Sequence, residues 1–216
     1  LERRVWLSHG VGQFARPLQQ PHPPIAMAMV GPGGLTAETI AQRDMIPISA
    51  NFVPIENVAA QWRDYSLARE KAGQVADRQI WRVCRNILVT ETDEAGEQLL
   101  TDPDGVIAHY FRYIRGVRQI EEFQSLQQEP LPLLNEFLEV PAALEDCAIV
   151  GAADTVLARL VELVDELGPF GTLVMVAHDW DESGLSQGSM HRMAEDILPQ
   201  LKQHVDSLGS ERWIES

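Results

Sequence analysis

Short apolar runs alternate with helix-patterned segments along this chain of 216 residues, and that alternation constrains the fold more than any single motif. Ile25-Ala26-Met27-Ala28-Met29-Val30 is stopped by Gly31-Pro32-Gly33-Gly34, which suits a strand buried on both faces. Residues 35–44 read as helix. Ile46-Pro47-Ile48-Ser49-Ala50-Asn51-Phe52 reads as a second strand, against which Pro47 counts because proline cannot donate to a ladder. Residues 57–71 are helical in pattern, 80–90 form a Val- and Ile-rich third strand, and 93–100 read as an acidic helix.

The rhythm then breaks. Residues 101–150 hold Asp102-Pro103-Asp104-Gly105, an aromatic and basic helix over 109–118, and a Gln-, Glu- and Pro-rich stretch to Pro141. That exceeds an ordinary connection and lacks sustained core periodicity, so it reads as a lid or a mobile insertion. Regularity returns with Asp154 as a helix N-cap before an apolar stripe of Val156, Leu157, Leu160, Val161 and Val164 closed by Gly168. Residues 170–177 read as the most plainly buried strand, and a last amphipathic helix spans 189–205. Residues 1–23, rich in proline near their end, read as a connecting arm.

Strand, helix, strand, helix, strand, insertion, helix, strand, helix is the order of an α/β protein with a parallel sheet and helical crossovers. Four βα units are half of a TIM barrel, so the chain is either a small open sheet or the second half of a (β/α)8 barrel. Periodicity alone does not choose. The first residue is not Met, which we read as a natural start lying upstream.

A net charge of −15 repels phosphate backbones and anionic lipid, which argues against nucleic-acid and membrane-surface partners. Cys84 and Cys147 form no CxxC pair, so neither a disulfide framework nor a cysteine zinc site is expected, and a cytoplasmic setting fits. No apolar run approaches the ~18 residues of a membrane span.

In a parallel α/β protein the chemistry gathers where strands end and loops enter helices. At the first such junction, Gly31, Pro32, Gly33 and Gly34 lead into Leu35 and Thr36, combining close backbone approach with free helix N-terminal amides, a phosphate-site pattern that an ordinary glycine turn also explains. The P-loop lysine is missing, which argues against a nucleoside triphosphatase. At the second, Ile48, Ser49, Ala50 and Asn51 could line a flat ligand, or Asn51 could serve a turn. At the last, His178, Asp179, Trp180 and Asp181 bring an imidazole, carboxylates and an indole to the mouth of the expected pocket.

Three other patterns fail on context. Gly10-Val11-Gly12-Gln13-Phe14-Ala15 has dinucleotide-type spacing but runs into Pro17. Gly184-Leu185-Ser186-Gln187-Gly188 copies a nucleophile elbow too far past the strand. Asp179, Asp181, Ser183 and Gly184 begin like a calcium loop, but Met190 stands where the bidentate Glu belongs. The remaining histidines show no metal-ligand spacing, so no metal is expected.

Spread over nearly the whole chain are Phe14-Ala15-Arg16-Pro17 leading to His22-Pro23-Pro24-Ile25, Trp81-Arg82-Val83-Cys84-Arg85-Asn86-Ile87 with Glu91-Thr92-Asp93-Glu94-Ala95, and Val150-Gly151 to Asp154-Thr155-Val156. Gly168-Pro169-Phe170-Gly171-Thr172-Leu173, His178-Asp179-Trp180-Asp181 and Met190 to Pro199 follow. In order and spacing these resemble the C-terminal half of a luciferase-like flavin-dependent monooxygenase, close to the limonene monooxygenase type. The resemblance implies a TIM barrel whose last four βα units are this chain: 1–23 an arm, 24–100 three units, 101–150 an insertion acting as a lid over the flavin, and 151–216 the final helix, strand and helix.

By the same resemblance Gly31, Pro32, Gly33, Gly34 and Thr36 would hold the FMN phosphate, Ile48, Ser49 and Asn51 would lie near the isoalloxazine, and His178, Asp179 and Trp180 would border the substrate. It further implies reduced FMN, supplied by a flavin reductase or by NAD(P)H, reacting with O₂ to oxygenate a small organic, terpene-like substrate. The family's first four strands, with its usual catalytic histidine, have no counterpart here, so no catalytic residue is named. Self-association, or pairing with that missing half, is expected. A deazaflavin- or flavin-dependent hydride transfer and a non-catalytic half-barrel module are the alternatives.

Overall fold

The computed structural model describes residues 17–31, 34–119, 146–177 and 184–215. Pro32, Gly33, His178, Asp179, Trp180, the arm before residue 17 and most of the expected insertion lie outside that set.

The sheet is wholly parallel, as the alternation requires. It is built from β1 (Ala26–Met29), β2 (Ile46–Ser49), β4 (Arg82–Val89), β5 (Ala148–Gly151) and β6 (Thr172–Val176). Helix α1 (Leu35–Gln42) connects β1 to β2, and α2 (Ile55–Lys71) connects β2 to a short strand β3 (Ala76–Asp77). After β4 come α3 (Asp93–Thr101) and α4 (Val106–Gln119), then α5 (Ala153–Leu167) between β5 and β6. The chain closes with α6 (Leu185–Arg192), a π turn (Met193–Ile197), α7 (Leu198–Ser207) and β7 (Ile214–Glu215), which pairs antiparallel with β3.

Strand β4 is the axis of the sheet. Ile48 and Ser49 of β2 pair with Arg82 and Val83 on one edge, while β6 runs along the other edge from Arg82↔Thr172 to Asn86↔Val176. Beyond Val83 the first edge passes to β5, paired from Asn86↔Ala148 to Val89↔Gly151. Sequence reading missed β5, because a four-residue strand ending in Gly151 sits inside the segment taken as insertion.

Side chains alternate across β4. Val83, Ile87 and Val89 face the main core, where Val58, Trp62 and Tyr65 of α2 and Val156, Leu160, Leu163 and Val164 of α5 are buried. Leu88 faces a second cluster formed by Ile107 and Phe111 of α4 with Cys147, Ala148 and Val150. Part of the expected insertion is therefore a packed helix with its own apolar face, carried by Ile107, Ala108 and Phe111 at the spacing of one helical turn.

Four further sequence expectations change. Strand β1 is not buried on both faces: Met27 is 38% exposed and only Met29 is buried, because β1 pairs with β2 alone among the described residues. Nor is β6 the most buried strand, since Thr172 is exposed and Leu173 to Val176 are half-buried, with one edge against β4 and the other unpaired among the described residues. Pro47 does not weaken β2. Ile46 and Ala50 donate toward β1, so the missing donor of Pro47 faces the β4 side, one residue before that ladder begins at Ile48. Asp154 lies inside the first turn of α5 rather than capping it. Asp93 does that work from α3, accepting from the Ala152 amide at 2.8 Å and from the Thr155 hydroxyl at 2.9 Å.

The last helical run, Leu185 to Ser207, is broken only by the π turn ahead of Pro199. Proline has no N–H for the preceding turn and its ring crowds the carbonyl four residues back, so a wider turn there relieves both problems.

Candidate functional site

All five sheet strands point the same way, so their C-terminal ends form one rim, and β1, β2, β4 and β5 each hand over there to a helix. At the first junction the chain leaves β1 through Gly31, and Gly34 stands at φ 78° and ψ −145° as the residue before α1. That region is open essentially to glycine alone. A β-carbon at Gly34 would meet nothing within 4 Å, so the constraint is torsional. No side chain caps α1, which leaves its first-turn amides without the usual side-chain acceptor. Thr36 follows in that turn, half-buried.

The loop is held from below by α2. Gln61 is fully buried, and its Nε2 donates to the Met29 carbonyl at 3.2 Å and to the Gly31 carbonyl at 2.8 Å. Asn57 precedes Gln61 by one turn on the same face of α2, nearer the rim. It is 7% exposed, and its Nδ2 is a buried donor with no acceptor. The Gln61 Oε1 and the Tyr65 hydroxyl, further along that face, are likewise without partners, and burial pushes the Tyr65 phenol pKa up.

At the second junction the expected residues separate. Ile48 is half-buried, while Ser49 points to the opposite, helix-covered face, fully buried, where its hydroxyl accepts from the Trp81 indole at 3.1 Å. The Ser49 hydroxyl is thus engaged with Trp81 on the face of β2 opposite Ile48. Asn51 belongs to a polar knot. Its amide donates to Asn86 Oδ1 and to the Tyr110 hydroxyl at 3.0 Å, and that hydroxyl donates back to Asn51 Oδ1 at 3.1 Å. Asn86 in turn donates to the carbonyls of Asn51 at 3.1 Å and Cys147 at 2.8 Å, joining the segment after β2 to the middle of β4 and the start of β5. Desolvation raises the Tyr110 pKa, which the Asn51 hydrogen bond partly offsets.

Neither Asn86 nor Tyr110 stood out in the sequence. Asn86 is a polar residue inside a Val- and Ile-rich strand, the only signal available. Gln61 offered a weaker one, as an amide on the apolar stripe of α2.

Two further features lie nearby. Arg85 is fully buried on β4, with its Nη1 donating to the Cys84 carbonyl at 3.1 Å and its Nε and Nη2 without partners. Burial lowers its pKa, and burial also raises the Cys84 thiol and pushes Cys147 up to about 12. At the rim beside β4 an open groove of about 660 Å³ runs between α3 and α6, lined by Thr90, Ala95, Leu99 and Leu185 and bridged by the Arg192–Glu91 ion pair at 3.0 Å. Among the described residues no group of three or more His, Cys, Asp or Glu could hold a metal ion, and no helix is long and apolar enough to cross a membrane.

No protein-family profile matches the chain. Two characterised proteins do. The 3,6-diketocamphane 1,6-monooxygenase of Pseudomonas putida is 25% identical over 167 residues, covering 74% of this chain and 42% of that protein. The 4-hydroxyprotoasukamycin monooxygenase of Streptomyces nodosus subsp. asukaensis is 24% identical over 208 residues, 92% of this chain and 53% of that protein. The chain thus spans about half the length of these relatives.

Among solved structures, the oxygenating constituent of Pseudomonas putida 3,6-diketocamphane monooxygenase, a type II Baeyer-Villiger enzyme in complex with FMN, superposes with a TM-score of 0.63 at 24% identity, over 83% of this chain and 49% of that one. The monooxygenase RslO1 of Streptomyces bottropensis gives 0.57 at 22% identity, over 87% and 51%. The parallel sheet and its helices accordingly have the fold of part of a TIM barrel, and the chain is similar in sequence to flavin-dependent monooxygenases of the luciferase-like kind.

Proposed function

We propose that this chain is the C-terminal half of a single (β/α)8 barrel that works as a flavin-dependent monooxygenase, using reduced FMN and O₂ to oxygenate a small organic, terpene-like substrate. The observation that carries the reading is the first junction: Gly34 in a glycine-only conformation opening an uncapped helix at the rim of a barrel shared with monooxygenases. The edges of β1 and β6, unpaired among the described residues, support the half-barrel assignment, since a closed barrel would cover both. A terpene-like substrate is supported by the camphane-oxidising relative.

The residues present fit FMN. A phosphate needs several N–H donors in a small volume, and the amides of Gly34, Leu35 and Thr36 supply them with the helix dipole behind them. The buried Nδ2 of Asn57, without an acceptor one helical turn nearer the rim than Gln61, would be a further donor to that anion. The backbone of Gly31, Pro32 and Gly33 completes the cradle in this reading. Ile48 and Asn51 would border the isoalloxazine, with Asn86 and Tyr110 fixing the Asn51 amide, and His178, Asp179 and Trp180 would border the substrate. When bound, reduced FMN supplies the O₂ activation. The protein's share is to orient the ring and, through α4 over the second apolar cluster, to keep water from that side.

The test is Gly34→Val measured with FMN and with riboflavin, which lacks the phosphate. Displacing one or two charge-assisted hydrogen bonds of about 1.5–3 kcal/mol each should raise the FMN dissociation constant at least roughly tenfold and change riboflavin little. Equal losses for both flavins, or none, would mean that the phosphate lies elsewhere and that this junction is only a turn.

A further inference from the structure

We infer that Gln61 is a positioning residue for the phosphate cradle. This rests on the FMN reading above. Past Met29 the chain leaves the sheet, so the Gly31 carbonyl has lost its ladder partner, and among the described residues the Gln61 amide takes that place at 2.8 Å. The same Nε2 also holds the Met29 carbonyl, which already accepts from the Ala50 amide at 3.2 Å. One buried side chain therefore clamps the last residue of β1 and, two residues on, Gly31 to α2.

The other end of the cradle is fixed by the helix, where the Glu38 amide donates to the Gly34 carbonyl at 3.2 Å. In sequence only two residues separate those anchors, so holding Gly31 restrains where the chain enters Gly34 and the first-turn amides of α1. An anion site needs those groups convergent before the ligand arrives. Gln61 touches no expected ligand atom, so its influence passes through Gly31. Its Oε1, buried without a donor, shows that the amide is retained at the cost of one unmet acceptor.

Gln61→Met keeps the length and apolar bulk and removes the donor; Gln61→Asn keeps the amide but shortens its reach. Tyr65→Phe is the control, removing an equally buried, unpartnered hydroxyl one turn away. In both Gln61 variants we expect the FMN dissociation constant to rise about tenfold, riboflavin to change less than about threefold, and the Gly34 and Leu35 amides of the ligand-free protein to exchange faster with solvent. The control should move none of these.

Unchanged amide exchange and an unchanged FMN-to-riboflavin ratio would overturn the role of Gln61. A parent protein that does not distinguish FMN from riboflavin would instead overturn the phosphate reading. Faster exchange in the Gln61 variants would even then show Gln61 holding the loop, with no phosphate for it to serve.

Discussion

Gly171 offers a sharp test of how β6 is joined to β4. A β-carbon placed there would stand 1.7 Å from the Gln79 carbonyl oxygen and 2.4 Å from its carbon, against the 3.0 Å below which real contacts essentially never fall. The obstacle is backbone, and it is pinned. Gly171 donates to the Arg78 carbonyl at 2.9 Å, and Thr172 to the Trp81 carbonyl at 3.2 Å. The Arg78 guanidinium lies 5.0 Å from the Trp62 ring and 5.6 Å from the Trp81 ring while donating to the Leu167 carbonyl at 2.7 Å. To admit a methyl group the two segments must part by more than an ångström.

That separation breaks both backbone bonds, worth about 0.5–1.5 kcal/mol each because Gly171 and Thr172 are exposed and their freed amides can turn to water, with about 1–3 kcal/mol more for the overpacking and up to about 1 kcal/mol for the cation–π contacts. Gly171→Ala should therefore lose about 2–5 kcal/mol, a large part of a typical domain's stability. Urea unfolding followed by Trp fluorescence reads this directly, since Trp62 and Trp81 sit at the joint. A loss below about 1 kcal/mol would show that the close approach of residue 171 to Gln79 does not exist.

Two more predictions follow from buried groups. Arg85 has two unpartnered donors, so Arg85→Met should be neutral or stabilise by up to about 4 kcal/mol in the same unfolding assay; a loss above about 2 kcal/mol would mean the guanidinium is paired. Burial raises Cys147 from 9.0 to about 12, a folded value above the unfolded one, so this group's stabilisation is complete below pH 9 and is lost as pH rises from about 9 to about 12. Its native thiol should accordingly resist a disulfide reagent at pH 8 and react once the protein is unfolded; rapid native labelling of Cys147 would contradict its burial.

The fold was legible where one physical signal dominated. Runs such as 25–30 and 80–90 read as strands of a parallel sheet, and the stripe from Val156 to Val164 as the core-facing side of a helix. What failed was burial, because periodicity reports which residues are apolar and not how many neighbours a strand has. Met27 and Val174 are apolar for neighbours that the described sheet does not supply. Strand β5 was hidden by its four-residue length, and the Asp93 cap could not be read at all because its acceptor and donors lie 59 and 62 residues apart.

At the proposed site, backbone conformation was legible and side-chain contacts were not. Glycines at a strand end signal a special conformation, which Gly34 adopts. Ser49 was placed by its neighbours in sequence, and the pleat turned it the other way. Gln61, Asn86 and Tyr110 act through contacts 30, 35 and 59 residues away, which no local pattern encodes.

The claim that this chain belongs to a flavin-dependent monooxygenase is tested most directly by ¹⁸O₂ incorporation. The complete barrel of which this chain is read as the second half, supplied with enzymatically reduced FMN and a set of terpene-like cyclic ketones, should consume O₂ and place one labelled oxygen atom in an organic product, the other leaving as water. Reoxidation of the FMN with all of the O₂ released as hydrogen peroxide and no label in any organic product, or, in a parallel reaction given a reduced deazaflavin in place of FMN, hydride transfer to the ketone without label, would contradict it.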